Sequence, residues 1–122
     1  MNLQKIIDEL KLEVLTQPQD FNTVIPQSGY ASDLLSCVMA GASRAGIWVT
    51  LQAHGNVVAV AALLDLAAVI ITENARPDEA TLQKANAEKI TLLATPLPTF
   101  TTIGRLWELG IRAGSPVGGT GI

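Results

Sequence analysis

Residues 47–72 read IWVTLQAHGNVVAVAALLDLAAVIIT, and the fold turns on how this run divides. Ile47-Trp48-Val49-Thr50-Leu51 is a near-continuous apolar strand, the kind expected where both faces of a parallel sheet are covered. Gly55 follows it, and Asn56 can cap a buried helix from Val57 to about Ala67. Val69-Ile70-Ile71-Thr72 is β-branched and reads as the next strand. The apolar stretch from Val57 to Ile71 is interrupted only by Asp65 and falls short of the ~20 residues that a bilayer-spanning helix needs. Strand, helix, strand in this order is a βαβ unit with parallel strands and a right-handed crossover.

The same alternation extends on both sides. Toward the C-terminus, Pro77 and Asp78-Glu79 start a helix with Leu82 and Ala85 inward and Lys84, Glu88 and Lys89 outward, its early acids favoured by the helix dipole. Thr91-Leu92-Leu93-Ala94 is another strand. Pro96 and Pro98 then separate it from a last helix, about Thr99 to Leu109, with Ile103, Leu106 and Trp107 as one apolar stripe and Gly110 placed to end it. Toward the N-terminus, Ser32 or Asp33 can cap a helix whose apolar residues are Leu34, Leu35, Val38 and Met39. Thr23-Val24-Ile25-Pro26 reads as an extended piece at a sheet edge, because proline does not suit a central strand. Glu13-Val14-Leu15 is a short strand, and Leu3, Ile6, Ile7 and Leu10 mark an amphipathic helix behind a cap at Asn2. The expected fold class is α/β: a mostly parallel sheet of about 4–5 strands with helices on both faces, in one domain over 1–111. Residues 112–122 are expected to form a flexible Gly-rich C-terminal tail.

Composition bounds the function. The chain has 122 residues, 48% apolar, with 8 Lys+Arg against 11 Asp+Glu and a net charge of −3. Such a length buries a core without disulfides or metals, and the single Cys37 excludes an intramolecular disulfide framework. Beside Val38 and Met39, that thiol reads as a small buried hydrophobe. The acidic balance argues against nucleic acid as a partner, since phosphate neutralisation needs clustered Lys and Arg. Charges run through the first ten residues where a secretory leader would be apolar, so a cytoplasmic protein with no membrane partner is the expectation.

Ligands of open parallel sheets sit beyond the carboxyl ends of the strands. That rule selects Gln27, Ser28, Gly29 and Tyr30 with Ser32 and Asp33, then Gln52, His54 and Asn56, then Thr72, and finally Thr95. Gln27, Ser28 and Tyr30 would line one wall of a cleft, with Gln52, His54 and Asn56 on the other. Surface loops are polar in any protein, which is the competing account of the same residues. His54, the one histidine, reads as a proton donor, a phosphate contact beside a helix N-terminus, or an ordinary loop residue. It could pair with Asp33, but no Gly-x-Ser-x-Gly nucleophile, His-Glu-x-x-His or Gly-x-Gly-x-x-Gly accompanies it. The glycines from Gly114 to Thr120 mimic phosphate-loop spacing but place Thr120 where the lysine belongs. No catalytic residue, cofactor or metal is therefore expected. The helix from Val57 to Leu64 is apolar on every side and needs cover on the face away from the sheet. A second copy of the chain would supply it, as would burial within one subunit.

Three segments carry a family resemblance: Gly29-Tyr30-Ala31-Ser32-Asp33-Leu34-Leu35-Ser36, the run from Thr50 to Ala61, and Pro77-Asp78-Glu79. Over about residues 1–111 the chain resembles the DRTGG domain family, including the N-terminal domain of HPr kinase/phosphorylases and the DRTGG module of CBS-domain pyrophosphatases. The pentad that names the family is not contiguous here. Where relatives carry paired glycines, this chain has Gln27-Ser28-Gly29 and Thr72-Glu73-Asn74. The resemblance implies a compact regulatory or dimerising module, not an enzyme, since kinase activity in the first group belongs to a separate phosphate-loop domain. The expected function is a non-catalytic module, as a homodimer, that binds a small ligand of the nucleotide class or a partner protein through the loops after its strands. A purely structural dimerisation subunit is the alternative, and a small enzyme using His54 and Asp33 is the third.

Overall fold

The computed structural model describes residues 1–114. The expected tail therefore lies, from residue 115 on, outside the described residues. Five strands form one sheet in the order β1-β5-β4-β3-β2: β1 (Glu13–Val14), β2 (Gly29–Ala31), β3 (Ile47–Thr50), β4 (Ala68–Ile71) and β5 (Leu92–Ala94). All neighbours are parallel except β1, which runs antiparallel to β5.

Helices α1 (Leu3–Leu10) and α5 (Thr99–Glu108) cover one face, with a 3₁₀ turn at Phe21–Thr23. Helices α2 (Leu35–Gly41), α3 (Gly55–Leu64) and α4 (Glu79–Ala87) cover the other. Strand alternation divides the core accordingly. Ile47, Val49 and Ile70 pack with Leu3, Ile6 and Leu106, while Trp48, Val69 and Ile71 pack with Val38, Val57 and Val58. All four residues of β3 and of β4 are buried, as their unbroken apolar runs require.

Helix α1 follows its pattern closely: the Asn2 side chain accepts from the Lys5 amide at 2.8 Å, and Leu3, Ile6, Ile7 and Leu10 are the buried residues. Elsewhere the structure departs from expectation, each time for a local reason. Thr23-Val24-Ile25-Pro26 joins no strand. The Asp20 side chain caps the 3₁₀ turn, and the Val24 carbonyl accepts from the Leu3 amide at 2.8 Å, so it is spent on α1 and not on the sheet. The strand instead begins at Gly29. Neither Ser32 nor Asp33 caps α2, whose first amides receive no side-chain bond: the Asp33 side chain turns to β3, and Ser32 Oγ accepts at 3.1 Å from the amide of Leu34, before the helix starts. Leu34, Met39 and Cys37 are exposed, leaving Val38 as the buried residue of α2.

Asn56 does not cap α3 either; His54 does. That helix ends at Leu64, short of Ala67, on a left-handed Asp65 whose carboxylate pairs with Arg44 at 2.8 Å on the surface. On α5 the inward residues are Thr102 and Leu106, whereas Ile103 and Trp107 face solvent. The chain continues past 111 along the sheet, where Ala113 bridges to Gly29 in parallel.

Two carboxylates give the stability a definite pH dependence. Arg76 reaches Glu13 through two hydrogen bonds, of 3.0 and 2.9 Å, tying β1 to the segment before α4. The hydrogen bond from Arg76 holds the Glu13 carboxyl below its ordinary value. Asp78 is lowered likewise by hydrogen bonds from Thr81, whose amide it caps at 2.8 Å. A carboxyl whose folded-state pKa is depressed stabilises above its unfolded-state value and loses that contribution as pH falls through the folded one. Acid titration followed by circular dichroism is therefore expected to show stability declining below the ordinary carboxylate range. The Asp78→Asn variant should decline less.

Candidate functional site

The carboxyl ends of the parallel strands meet along one edge, and three threonines stand there: Thr50 ends β3, Thr72 follows β4 and Thr95 follows β5. All three are buried, so each hydroxyl needs an internal partner. Thr50 Oγ1 donates to Asp33 Oδ1 at 2.7 Å, and the same carboxylate oxygen accepts from the Leu51 amide at 2.8 Å. Thr72 Oγ1 donates to the Thr50 carbonyl at 3.4 Å and shares a hydrogen bond with Thr99 Oγ1. Thr95 Oγ1 accepts from the Leu97 amide at 3.2 Å. Gln52 Nε2 adds a bond to the Asp33 carbonyl at 3.2 Å. These hydroxyls set the loops in place.

The helix N-termini on this edge are also occupied from within. His54 Nδ1 accepts from the Asn56 amide at 3.3 Å, which makes that nitrogen the unprotonated one, as assigned from the hydrogen bond. The Asp78 side chain caps α4. Glu73 reaches the start of α5, where Oε2 accepts from the Thr99 amide at 2.6 Å. An incoming phosphate would thus have to displace a side chain at each of these helices. Asp33 and Glu73, both exposed, add negative charge to the same rim.

Of the residues singled out from sequence, the structure gathers Ser32, Asp33, Gln52, His54, Asn56, Thr72 and Thr95 on this edge. Gln27 and Ser28 precede β2 and so lie at the opposite, amino end of the sheet. There the Gln27 amide donates to the Ala45 carbonyl at 2.9 Å, and buried Ser28 faces Gly46. The displacement follows from the missing strand at 23–26: residues read as a loop after one strand actually lead into another. Gly29 lies within β2, and the Tyr30 ring lies across Gly41 of α2, where a Cβ would meet ring atoms at 2.5 Å. Tyr30 is thus committed to helix packing.

Sequence reasoning missed two cations on the same edge. Lys11 and Arg105 line an opening of about 350 Å³ together with Glu9, Leu10, Thr95, Pro96 and Leu97. Lys11 stands on the left-handed residue that closes α1, and Arg105 on α5 donates to the Glu9 carbonyl at 3.3 Å. The antiparallel return of β1 along β5 brings the end of α1 to this corner. Nothing in a pattern built on parallel strands signals that juxtaposition. Among the described residues no group of His, Cys, Asp and Glu could hold a metal ion, and no helix is long and apolar enough to cross a membrane.

The arrangement from α2 through α5, with β3, β4 and β5 between the helices, coincides with a family profile: residues 35–109 match the DRTGG domain. The chain belongs to the DRTGG domain family. Its fold is similar to the CBS and DRTGG domains of the regulatory region of Clostridium perfringens pyrophosphatase, solved with an activator, diadenosine tetraphosphate. The TM-score is 0.72 at 19% sequence identity, covering 86% of this chain and 45% of that one. This DRTGG domain thus spans less than half the length of that structure. No curated protein matches the chain.

The turn after β4 in this DRTGG domain takes an uncommon backbone conformation. Glu73 and Asn74 both have φ of 60°, successive left-handed residues without glycine. The conformation costs an L-residue roughly 1–2 kcal/mol, and the Glu73 contact with α5 offsets part of it. At position 73, Glu73→Gly is expected to be more stable than Glu73→Ala by about 1 kcal/mol, because both lose the carboxylate and glycine alone sheds the strain. Urea unfolding of the two variants checks this.

Proposed function

We propose that this DRTGG domain is a non-catalytic regulatory module that binds a ligand of the nucleotide class at the carboxyl edge of its sheet, with the phosphates between Lys11 and Arg105. The observation that carries the reading is the opening that these two cations share with Thr95. Phosphates seek cations, and the rest of the edge presents Asp33, Glu73 and helix ends already capped. The nucleoside end would lie along the same edge, toward the loops after β4 and β3. The activator in the similar pyrophosphatase regulatory region, diadenosine tetraphosphate, supports the ligand class. Titration calorimetry with adenine and guanine nucleotides tests the reading. Binding that falls about tenfold or more in Lys11→Glu and in Arg105→Glu supports it, and equal binding in all three proteins rejects it.

An enzyme using His54 and Asp33 finds no support in the geometry, because Nδ1 of the histidine caps α3 while the aspartate holds Thr50 and Leu51. A dimer does have an observation in its favour. Helices α2 and α3 contain no charged residue, and Leu34, Cys37, Met39 and Leu63 are exposed around them. Such a face is self-compatible, since pairing it with its own copy opposes no like charges. Light scattering at micromolar concentration decides: a dimeric mass supports association through this face, and a monomeric mass removes it.

A further inference from the structure

The charges around the opening at Lys11 and Arg105 limit how many phosphates it can take. Neither cation takes part in an ion pair among the described residues, whereas Glu9, the carboxylate of the lining, is paired with Lys5 at 3.3 Å. Arg105 spends one N–H on the Glu9 carbonyl, at 3.3 Å, and a guanidinium has five to offer. Two cations therefore face the opening. A phosphate monoester carries nearly two negative charges at neutral pH and balances them.

Further along the edge the sign changes. The Glu73 amide donates to the Leu97 carbonyl at 2.9 Å and the Asn74 amide to the Thr95 carbonyl at 3.2 Å, so the turn after β4 is bonded directly to two residues of the lining. The Glu73 side chain is exposed yet fixed, because Oε2 accepts from the Thr99 amide at 2.6 Å. A carboxylate thus stands where the edge continues from β5 toward β4, with Asp33 beyond it at the end of β3. A nucleoside is uncharged and can lie along that stretch. A second or third phosphate brings negative charge toward Glu73, and Glu9 opposes it within the lining itself.

We propose that the ligand of this opening is a nucleoside monophosphate, and that Glu73 discriminates against longer phosphate chains by repelling every phosphate beyond the first. The inference rests on the reading of Lys11 and Arg105 as the phosphate site and adds to it the length of the phosphate chain. It sets this chain apart from the similar pyrophosphatase regulatory region, whose activator has four phosphates in a row.

The test is titration calorimetry of the full chain with the 5′-mono-, di- and triphosphates of adenosine and guanosine and with inorganic phosphate. A chelator in the buffer keeps divalent cations from masking phosphate charge. Glu73→Gln removes the charge but keeps an oxygen for the Thr99 amide. The expected result is an affinity that falls about tenfold from mono- to triphosphate in the parent chain and about threefold or less in Glu73→Gln. Should Glu73→Gln not fold, Glu9→Gln, at an exposed helix position, narrows the gap in the same direction. A triphosphate that binds the parent as tightly as the monophosphate overturns the proposal, as does a gap that neither variant narrows. Inorganic phosphate binding as tightly as the monophosphate overturns it too, because the nucleoside then contributes nothing. Those three results leave the phosphate site standing so long as Lys11→Glu abolishes binding. No binding by any of the compounds, or equal binding in Lys11→Glu, removes the site and the proposal with it.

Discussion

Trp48→Ala is expected to destabilise the domain by about 3–5 kcal/mol, enough to consume much of the stability of a domain of this size. Trp48 is the largest fully buried side chain, in the interior strand β3 between β2 and β4 and in one core layer with α2 and α3. Its removal empties the centre of that layer. It also strips the Ser32 carbonyl of the hydrogen bond from Trp48 Nε1, at 2.9 Å. In thermal unfolding the midpoint should fall by roughly 10–20 °C. Trp48→Phe, which keeps most of the volume but not the donor, should lose only about 1–2 kcal/mol. The gap between the two variants separates packing from the hydrogen bond.

The second large effect is at Asp33. Asp33→Ala is expected to cost about 2 kcal/mol, because it orphans the buried Thr50 hydroxyl and releases the Leu51 amide together. Thr50→Val alone should cost less, and the double variant should be more stable than the sum of the two losses predicts. Urea midpoints at constant slope measure all three proteins. A normal midpoint for Asp33→Ala would show that the carboxylate is not structural and would restore it as a candidate ligand or acid–base group.

The sheet and its helices were legible because each strand announces itself. Ile47-Trp48-Val49-Thr50 and Val69-Ile70-Ile71 are apolar on both faces, and only a layer between helices accommodates that pattern. Two of the three segments behind the resemblance to the DRTGG family, Thr50 to Ala61 and Pro77-Asp78-Glu79, lie within the matched residues, whereas the first, from Gly29, enters them only at Leu35 and Ser36. What was not legible came from competition for backbone groups. Val24 reads as strand until its carbonyl is needed by the Leu3 amide, and Gly29-Tyr30-Ala31 is too short and too mixed to declare itself. That exchange carried Gln27 and Ser28 to the far end of the sheet. His54 displaced Asn56 as the cap of α3 because its own Nδ1 lies two residues before the amide it accepts from, a placement set by backbone angles and not by residue preference.

Loops converge on the carboxyl edge, as the strand order requires, but the residues there split by charge in a way no linear pattern carries. The polar groups picked from sequence hold one another: Thr50 with Asp33, Thr72 with Thr99, and His54 with the start of its own helix. The cations come from α1 and α5, distant in sequence and joined by the single antiparallel pairing. On the proposed reading a phosphate would be repelled by Asp33 and Glu73 and drawn to Lys11 and Arg105, which share their opening with a single carboxylate, Glu9.

The most direct measurement is therefore a thermal-shift screen of the whole chain against adenine and guanine nucleotides, dinucleotides and acyl phosphates, with Lys11→Glu, Arg105→Glu and His54→Ala beside it. A ligand at about 100 times its dissociation constant adds about 2.7 kcal/mol, a shift of several degrees. The predicted result is a rise in the midpoint that persists on the lower baseline of His54→Ala, whose helix cap is lost, and disappears in both charge reversals. No rise with any compound, or a rise that survives the charge reversals, would contradict the account.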